Sequence, residues 1–230
     1  MTPEITTRSF SSDQAVFDKV FFGNCYGLKG SREKNKIVVD IGAHAGYFTF
    51  TALTLGAKKV YSFEPYIDNF SVLLKNCYNA NFQGAVTPYQ LGVYTSPILG
   101  MFSSPKLVDG VYFDLAKIEL IAKMEDEHYL CPCVPLSTIL KEHCCNENVD
   151  ILKLNIGYAE KEILYSCDSV LSTNVASICG EVSCNDTEFL EFKKEMGLRG
   201  FINCVSKPVD ANGRIAYQMA KETLSNYFIE

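Results

Sequence analysis

Apolar positions recur along this chain in two periods, and the switches between them mark its elements. Residues 11–22 follow helical spacing, with Val16, Phe17, Val20 and Phe21 on one face and Ser12 or Asp13 where a cap belongs. A polar loop, 23–35, ends in the charged run SREKNK. Ile37, Val38 and Val39 then form a buried-strand run that reaches Asp40. A glycine turn leads into an apolar helix, 47–55, stopped at Gly56. Residues 60–63 make a second strand ending at Glu64-Pro65, and 68–79 a helix with Phe70, Leu73, Leu74 and Cys77 on one face.

The second half repeats the alternation. Residues 86–93 read as a third strand and 96–101 as a short hairpin partner. Residues 103–130 hold no single period; an insertion beside a cleft and a solvated connection both suit them. A short helix (137–141), a strand (149–154), a helix (159–167) and a strand (175–182) follow. Asn185 and Glu188 have capping-box spacing for a helix that runs to Met196, with Gly197 as its stop. Residues 201–205 and 215–219 close the chain as strands, and Asn212-Gly213 predicts that they pair antiparallel.

Five strands with helical crossovers and a closing hairpin predict an α/β fold, a mostly parallel Rossmann-like sheet with helices on both faces. Ligands of such sheets bind beyond the carboxyl ends of the strands. Asp40, Glu64, Gln90 and Asn155 all fall at predicted strand ends.

Composition narrows the classes. The 230 residues suit one domain, with 47% apolar and 21% charged residues. A net charge of −6 gives no overall basic footprint for nucleic acid, so the expected partner is a small molecule. No apolar run nears the roughly 20 residues of a membrane helix, and the first residues lack an apolar signal core. A soluble, cytoplasmic protein is expected. In that setting the ten cysteines read as reduced, mostly apolar side chains. Cys131, Cys133, Cys144 and Cys145, spaced C-x-C then C-C, match no common zinc pattern, so no metal is expected.

The chemistry concentrates in IVVDIGAHAGYFTF, residues 37–50. A dinucleotide turn would read G-x-G-x-x-G around a pyrophosphate. Here His44 takes the place of its second glycine, and Asp40 precedes the turn. A carboxylate repels pyrophosphate but attracts a cationic ligand, and S-adenosylmethionine carries a sulfonium and an ammonium without phosphate. The spacing D-x-G-x-x-x-G therefore points to that cofactor, with Gly42, Ala43, His44 and Gly46 around it. Glu64, 24 residues after Asp40, stands where an acidic residue accepts ribose hydroxyls. Gln90 and Leu91, near the third strand's end, would border an adenine.

VVDIGAHAGYFTF, VYSFEPYIDNFSVLLKNCYNAN, VPLSTILKE with VDILKLNIGYAE, and SICGEVS resemble, in this order, the FkbM family of S-adenosylmethionine-dependent methyltransferases. The resemblance covers nearly the whole chain as one domain. Residues 1–35 would be an N-terminal helix and loop. It implies a class I methyltransferase sheet of seven strands, the last antiparallel, and O-methylation of a small molecule or sugar. It implies that Asp40, Gly42 and the turn face the cofactor's methionine part, that Glu64 holds the ribose, and that Tyr66, after Pro65, covers the adenine. The chain also departs from the family. Where the family reads K-I-D-V-E-G-A-E, this sequence has Asn155 for the aspartate and Gly157 for the first glutamate. His44 replaces an asparagine usual in the turn.

A hydroxyl acceptor needs a base. Asn155 cannot take a proton, which leaves His44, Glu160 and Glu181. Glu160 and Glu181 match acidic positions of the family and are the catalytic candidates. Two alternatives stay open: a methyltransferase fold that binds the cofactor without turnover, suggested by Asn155 and Gly157, and a nucleotide-dependent oxidoreductase.

Overall fold

The computed structural model describes residues 5–9, 11–28, 34–103, 107–108, 111–112, 128–157, 159–208 and 213–221. The first half contains α1 (Asp13–Phe17) running into a π-helical turn (Asp18–Phe22), β1 (Ile37–Ile41), α2 (Tyr47–Thr54), β2 (Lys59–Phe63), α3 (Ile67–Asn79) and β3 (Val86–Tyr89). A middle group follows: β4 (Gly92–Tyr94), β5 (Ile98–Ser103), β6 (Leu107–Val108), β7 (Val111–Tyr112) and β8 (His128–Pro135). The last part holds α4 (Leu136–Thr138) with a second π turn (Ile139–His143), β9 (Val149–Leu154), α5 (Glu160–Tyr165), α6 (Asp168–Asn174), β10 (Val175–Ser183), α7 (Asp186–Leu198), β11 (Asn203–Pro208) and β12 (Arg214–Ala220).

Among the described residues, seven strands form the main sheet in the order β3-β2-β1-β9-β10-β12-β11. β3, β2, β1, β9 and β10 are mutually parallel, and β12 runs antiparallel to both its neighbours. The expected parallel sheet with an antiparallel C-terminal hairpin is the observed one.

Strand periodicity divides the core in two. Val39, Ile41, Leu152, Leu154, Ile178 and Val182 point to one face, against side chains of α4, α5, α6 and α7. Val38, Val60, Ile151 and Cys179 point to the other, against α1, α2 and α3. α2 is buried on all sides from Tyr47 to Leu53, which is why its sequence is apolar all round. Among the described residues no helix is long and apolar enough to cross a membrane.

Several expectations need correction. The strand expected over 86–93 is two: β3 ends at Tyr89, and β4 starts at Gly92 in a second, three-stranded sheet, β4-β8-β5. The packing of that small sheet requires glycine at 92, because a Cβ there would lie 2.3 Å from Cys133 Sγ. The expected hairpin partner at 96–101 is β5, which pairs with β8. Within 103–130, residues 104–106, 109–110 and 113–127 lie outside the described residues; 107–108 pair with 111–112. On α3 the buried face is Asn69, Leu73, Asn76 and Cys77, while Leu74 is exposed, because two asparagines serve the turn and the N-terminal segment. Ser12 stands at the N-cap of α1 without a side-chain capping bond, and the Asp13 carboxylate is turned to Arg8. α6 was not expected from the sequence. α7 passes through Gly197 to Leu198, and the left-handed glycine beyond its end is Gly200, with φ +90°.

The capping box of α7 is formed as read: Glu188 N donates to Asn185 Oδ1 (3.0 Å) and Asn185 N to Glu188 Oε2 (2.9 Å). Asn185→Ala should lower stability in urea denaturation by about 1 kcal/mol, with the m-value unchanged.

Candidate functional site

The turn after β1 wraps around the end of β2. Gly42 N and Ala43 N both donate to Phe63 O at 3.0 Å. Gly42 takes φ +72°, and a Cβ there would fall 2.0 Å from Asn155 O, so strand β9 leaves no room for a side chain. His44 is left-handed too, at φ 54°, a conformation costing about 1–3 kcal/mol outside glycine. Its N–H offsets that by donating to Glu64 Oε2 at 2.8 Å. Gly46 opens α2 without a side-chain cap, leaving first-turn N–H groups at the site.

The Asp40 carboxylate lies beneath this turn, fully buried. In the sheet register Asp40 sits directly beside Lys153 of β9 and Ser62 of β2. Lys153 Nζ is 2.9 Å from Asp40 Oδ1 and donates to Gly42 O at 2.5 Å. Thr49 Oγ1 donates to Asp40 Oδ2 at 2.7 Å. Asp40 is therefore balanced by Lys153, and Lys153 in turn holds the Gly42 carbonyl of the turn.

Glu64 is buried at the end of β2. Its Oε1 accepts from Tyr66 N (3.0 Å) and Asn69 Nδ2 (3.4 Å). Burial raises its pKa, and the adjacent His44 and these donors pull the other way. The network continues into the N-terminal segment: Arg8 Nη2 donates to Asn69 Oδ1 and to Asp13 Oδ1, both at 2.8 Å. Asp13, with its pKa lowered on balance by Arg8 and His44 against its burial, is 3.9 Å from His44 Nε2. Glu64 N donates to Tyr89 O at 3.1 Å, which draws the end of β3 alongside; Gln90 and Leu91, half-buried, follow it. Tyr66 is buried, with its hydroxyl donating to Asp68, and Pro65 is half-buried beside it.

Past β9, Asn155 Nδ2 donates to Tyr26 Oη at 2.8 Å. Glu160 Oε1 accepts from Ile156 N (2.8 Å) and Gly157 N (2.6 Å). Burial raises the Glu160 pKa, with these N–H groups opposing. Glu181, on β10, is buried and held by Lys19, with Arg214 Nη1 3.4 Å from its Oε2. All ten cysteines are reduced thiols.

The structure thus brings Asp40, Gly42, Ala43, His44, Gly46, Glu64, Pro65, Tyr66 and Asn155 to one end of the sheet, with Gln90 and Leu91 at its β3 flank and Glu160 and Glu181 beyond β9. Sequence reasoning missed Lys153, Thr49, Asn69, Arg8, Tyr26 and Lys19. The one available signal was Lys153, a charge near the end of a strand whose other charge, Asp150, stands at its start.

These residues fit S-adenosylmethionine by the chemistry of their donors and acceptors. Glu64 Oε2 has one bond and room for another, which would take a ribose hydroxyl. The first turn of α2 would take a carboxylate. Gln90 and Leu91 would flank a base.

The Methyltransferase FkbM domain matches residues 40–202. No curated protein matches the chain. Among solved structures, a proposed RNA methyltransferase of Pyrococcus horikoshii aligns with TM-score 0.53 at 15% identity, over 91% of this chain and 85% of that one. The ribosomal protein L11 methylase of Lactobacillus delbrueckii subsp. bulgaricus aligns with TM-score 0.51 at 11% identity, over 90% and 78%. A SAM-dependent methyltransferase of Agrobacterium tumefaciens aligns with TM-score 0.52 at 9% identity, over 90% and 62%. At these identities the likeness is one of fold, the class I methyltransferase fold.

Two outcomes follow from the charges. A ribose held by Glu64 would need its anion, and the raised pKa means that Glu64 takes up a proton sooner on acidification than a glutamate at 4.5. Calorimetry should show S-adenosylhomocysteine affinity falling as pH drops, with a midpoint above that value; in Glu64→Gln the affinity should be lower by about tenfold and flat with pH. Lys153→Met strands the buried Asp40 charge and should cost about 3–5 kcal/mol in urea denaturation. The double variant with Asp40→Asn should recover most of that loss.

Proposed function

This chain belongs to the FkbM methyltransferase family, and from that membership we propose that it transfers a methyl group from S-adenosylmethionine to a hydroxyl of a small molecule or sugar. The observation that carries the reading is the junction of turn, Glu64 and Asn155 at one sheet end, with Glu160 beside it. The net charge of −6 supports a small acceptor over a nucleic acid.

Bound S-adenosylmethionine supplies an electrophilic methyl on a sulfonium. The protein's part is alignment, exclusion of water and removal of one proton. The bond from sulfur to methyl breaks as the bond from acceptor oxygen to methyl forms, and the hydroxyl proton passes to a base. Glu160 suits that role better than Glu181. Its raised pKa favours proton uptake, and its bonds from Ile156 and Gly157 both fall on Oε1. Both oxygens of Glu181 already face cations. Asn155 and Tyr26 orient the acceptor through their mutual hydrogen bond. The N-terminal segment, packed by Phe17, Val20, Cys25 and Tyr26 onto the sheet, keeps water out.

A second reading, binding without turnover, is favoured by Asn155 and Gly157, where the family carries carboxylates. Against it, Asn155 is tied to a buried phenol, which gives the amide a defined task.

S-adenosylhomocysteine should raise the melting temperature, and NAD should leave it unchanged; equal shifts would remove the argument from the turn. Methyl transfer over a broad panel of hydroxyl compounds then decides between the readings. For an enzyme the wild type is active and Asn155→Ala loses most of the rate. Activity that appears only in Asn155→Asp would establish a binder that has lost turnover.

A further inference from the structure

Two asparagines, Asn69 and Asn76, stand on the buried face of α3, where apolar residues would pack. Each turns its amide nitrogen to the candidate cofactor site. Asn69 Nδ2 donates to Glu64 Oε1 at 3.4 Å, and Asn76 Nδ2 donates to Ala45 O of the glycine turn at 2.9 Å. Each is held by its amide oxygen from the N-terminal segment. Arg8 Nη2 donates to Asn69 Oδ1 at 2.8 Å, and Thr6 N donates to Asn76 Oδ1 at 2.7 Å.

An amide side chain can turn over and present its oxygen where its nitrogen stood. At Asn69 that exchange would set one acceptor against another, the carboxylate of Glu64. A cationic donor on the amide oxygen removes the choice, because its charge-assisted bond is the stronger kind. Thr6 does the same for Asn76 with a backbone N–H. Residues 6–8 thus decide, through two amides, which group meets Glu64 and which meets the turn.

The Arg8 guanidinium is itself fixed in place. Its Nε donates to Asp13 Oδ2 at 2.9 Å and its Nη2 to Asp13 Oδ1 at 2.8 Å, while Arg8 N donates to Oδ2 at 2.8 Å. Asp13 is fully buried, and its Oδ1 lies 3.9 Å from Nε2 of His44. The backbone N–H of that same His44 holds Glu64 Oε2. Both oxygens of Glu64 are therefore met by groups that Arg8 stands behind: Oε1 by Asn69, and Oε2 by the residue whose ring faces Asp13. Thr6, Arg8 and Asp13 all precede residues 40–202. This arm of the site is built by the segment ahead of the family's core.

We propose that Arg8 is a positioning residue for the cofactor: through Asn69, and through Asp13 beside His44, it holds the Glu64 carboxylate in the orientation that takes the ribose hydroxyls. Glu64 makes the ribose contact, and Arg8 acts only through the side chains between them. The inference rests on the reading of the ligand as S-adenosylmethionine. It makes the N-terminal segment a part of the cofactor site as well as its cover.

The test is a double-variant cycle on the full chain, with S-adenosylhomocysteine affinity read by titration calorimetry. Arg8→Gln should weaken binding by about fivefold in otherwise wild-type protein. In the Glu64→Gln background the same change should cost less than about twofold, because the carboxylate that Arg8 positions is already gone. A purely structural Arg8 would instead lower affinity equally in both backgrounds. Arg8→Lys keeps the charge but loses the planar fork. It should weaken binding by about threefold with the same dependence on Glu64, and it carries the test if Arg8→Gln does not fold. Equal losses in the two backgrounds, or an affinity that both Arg8 variants leave intact, overturn the proposal while the cofactor reading stands. Absence of S-adenosylhomocysteine binding to wild type overturns the cofactor reading and this inference with it.

Discussion

Lys153 carries a positive charge into the middle of a parallel sheet, where desolvating an ion costs several kcal/mol. The sheet admits it because the register sets Asp40 directly alongside and because two carbonyl oxygens, of Ile41 and Gly42, lie within reach of the ammonium. The same contacts fix the path of the chain as it leaves β1. With Gly42 O held from below, the turn has one course open to it, over Phe63 O and on to α2. Glu64 then meets His44 N. A ligand site made of backbone groups needs such an anchor, since a turn free to move would leave its N–H groups aimed at nothing in particular.

From that anchor the site grows outward in two rows across one face. The lower row runs Ser62, Asp40, Lys153, Cys179 and Gln218, each beside the next by register. The upper row, two residues on, holds Glu64, Gly42, Asn155, Glu181 and Ala216. The N-terminal segment lies over both. Thr6 bonds Asn76 of α3, Arg8 bonds Asn69, Lys19 bonds Glu181, and Tyr26 bonds Asn155. One stretch of chain thus touches the expected cofactor side and the expected acceptor side, which couples the order of that stretch to both.

How much of this the sequence discloses depends on the range of the interaction. Local signals were legible: the strand runs at 37–40 and 149–154, the glycine turn, the capping box at Asn185, and the antiparallel close of the sheet. They depend on neighbours within a few residues. The split of the third strand was not, because it is decided by Cys133, far along the chain, packing against Gly92. Asn69 and Asn76 interrupt the apolar face of α3, and nothing nearby shows that their partners are Arg8, Glu64, Thr6 and Ala45. Asp13 has the spacing of a cap, and only the fold shows its carboxylate turned to Arg8. The candidate residues at strand ends are legible because topology puts them there; those that approach from the N-terminal segment obey no such rule.

The exchange of a carboxylate for an amide at Asn155 follows from the same arrangement. An aspartate there would place a negative charge between Asp40 and Glu181, within a region whose nearby cations are already engaged. It would also accept the phenolic proton of Tyr26. Asn155 instead donates to the phenol oxygen, so the Tyr26 proton remains free to donate elsewhere. Burial raises the Tyr26 pKa well above its usual value, with Glu181 adding to the effect, so that the proton stays in place at neutral pH. The substitution removes a potential base and creates a neutral donor at the same strand end. On the proposed reading a methyl acceptor needs both a base and an orienting donor, and with Glu160 in the helix that follows, the loss at 155 would leave that pair complete.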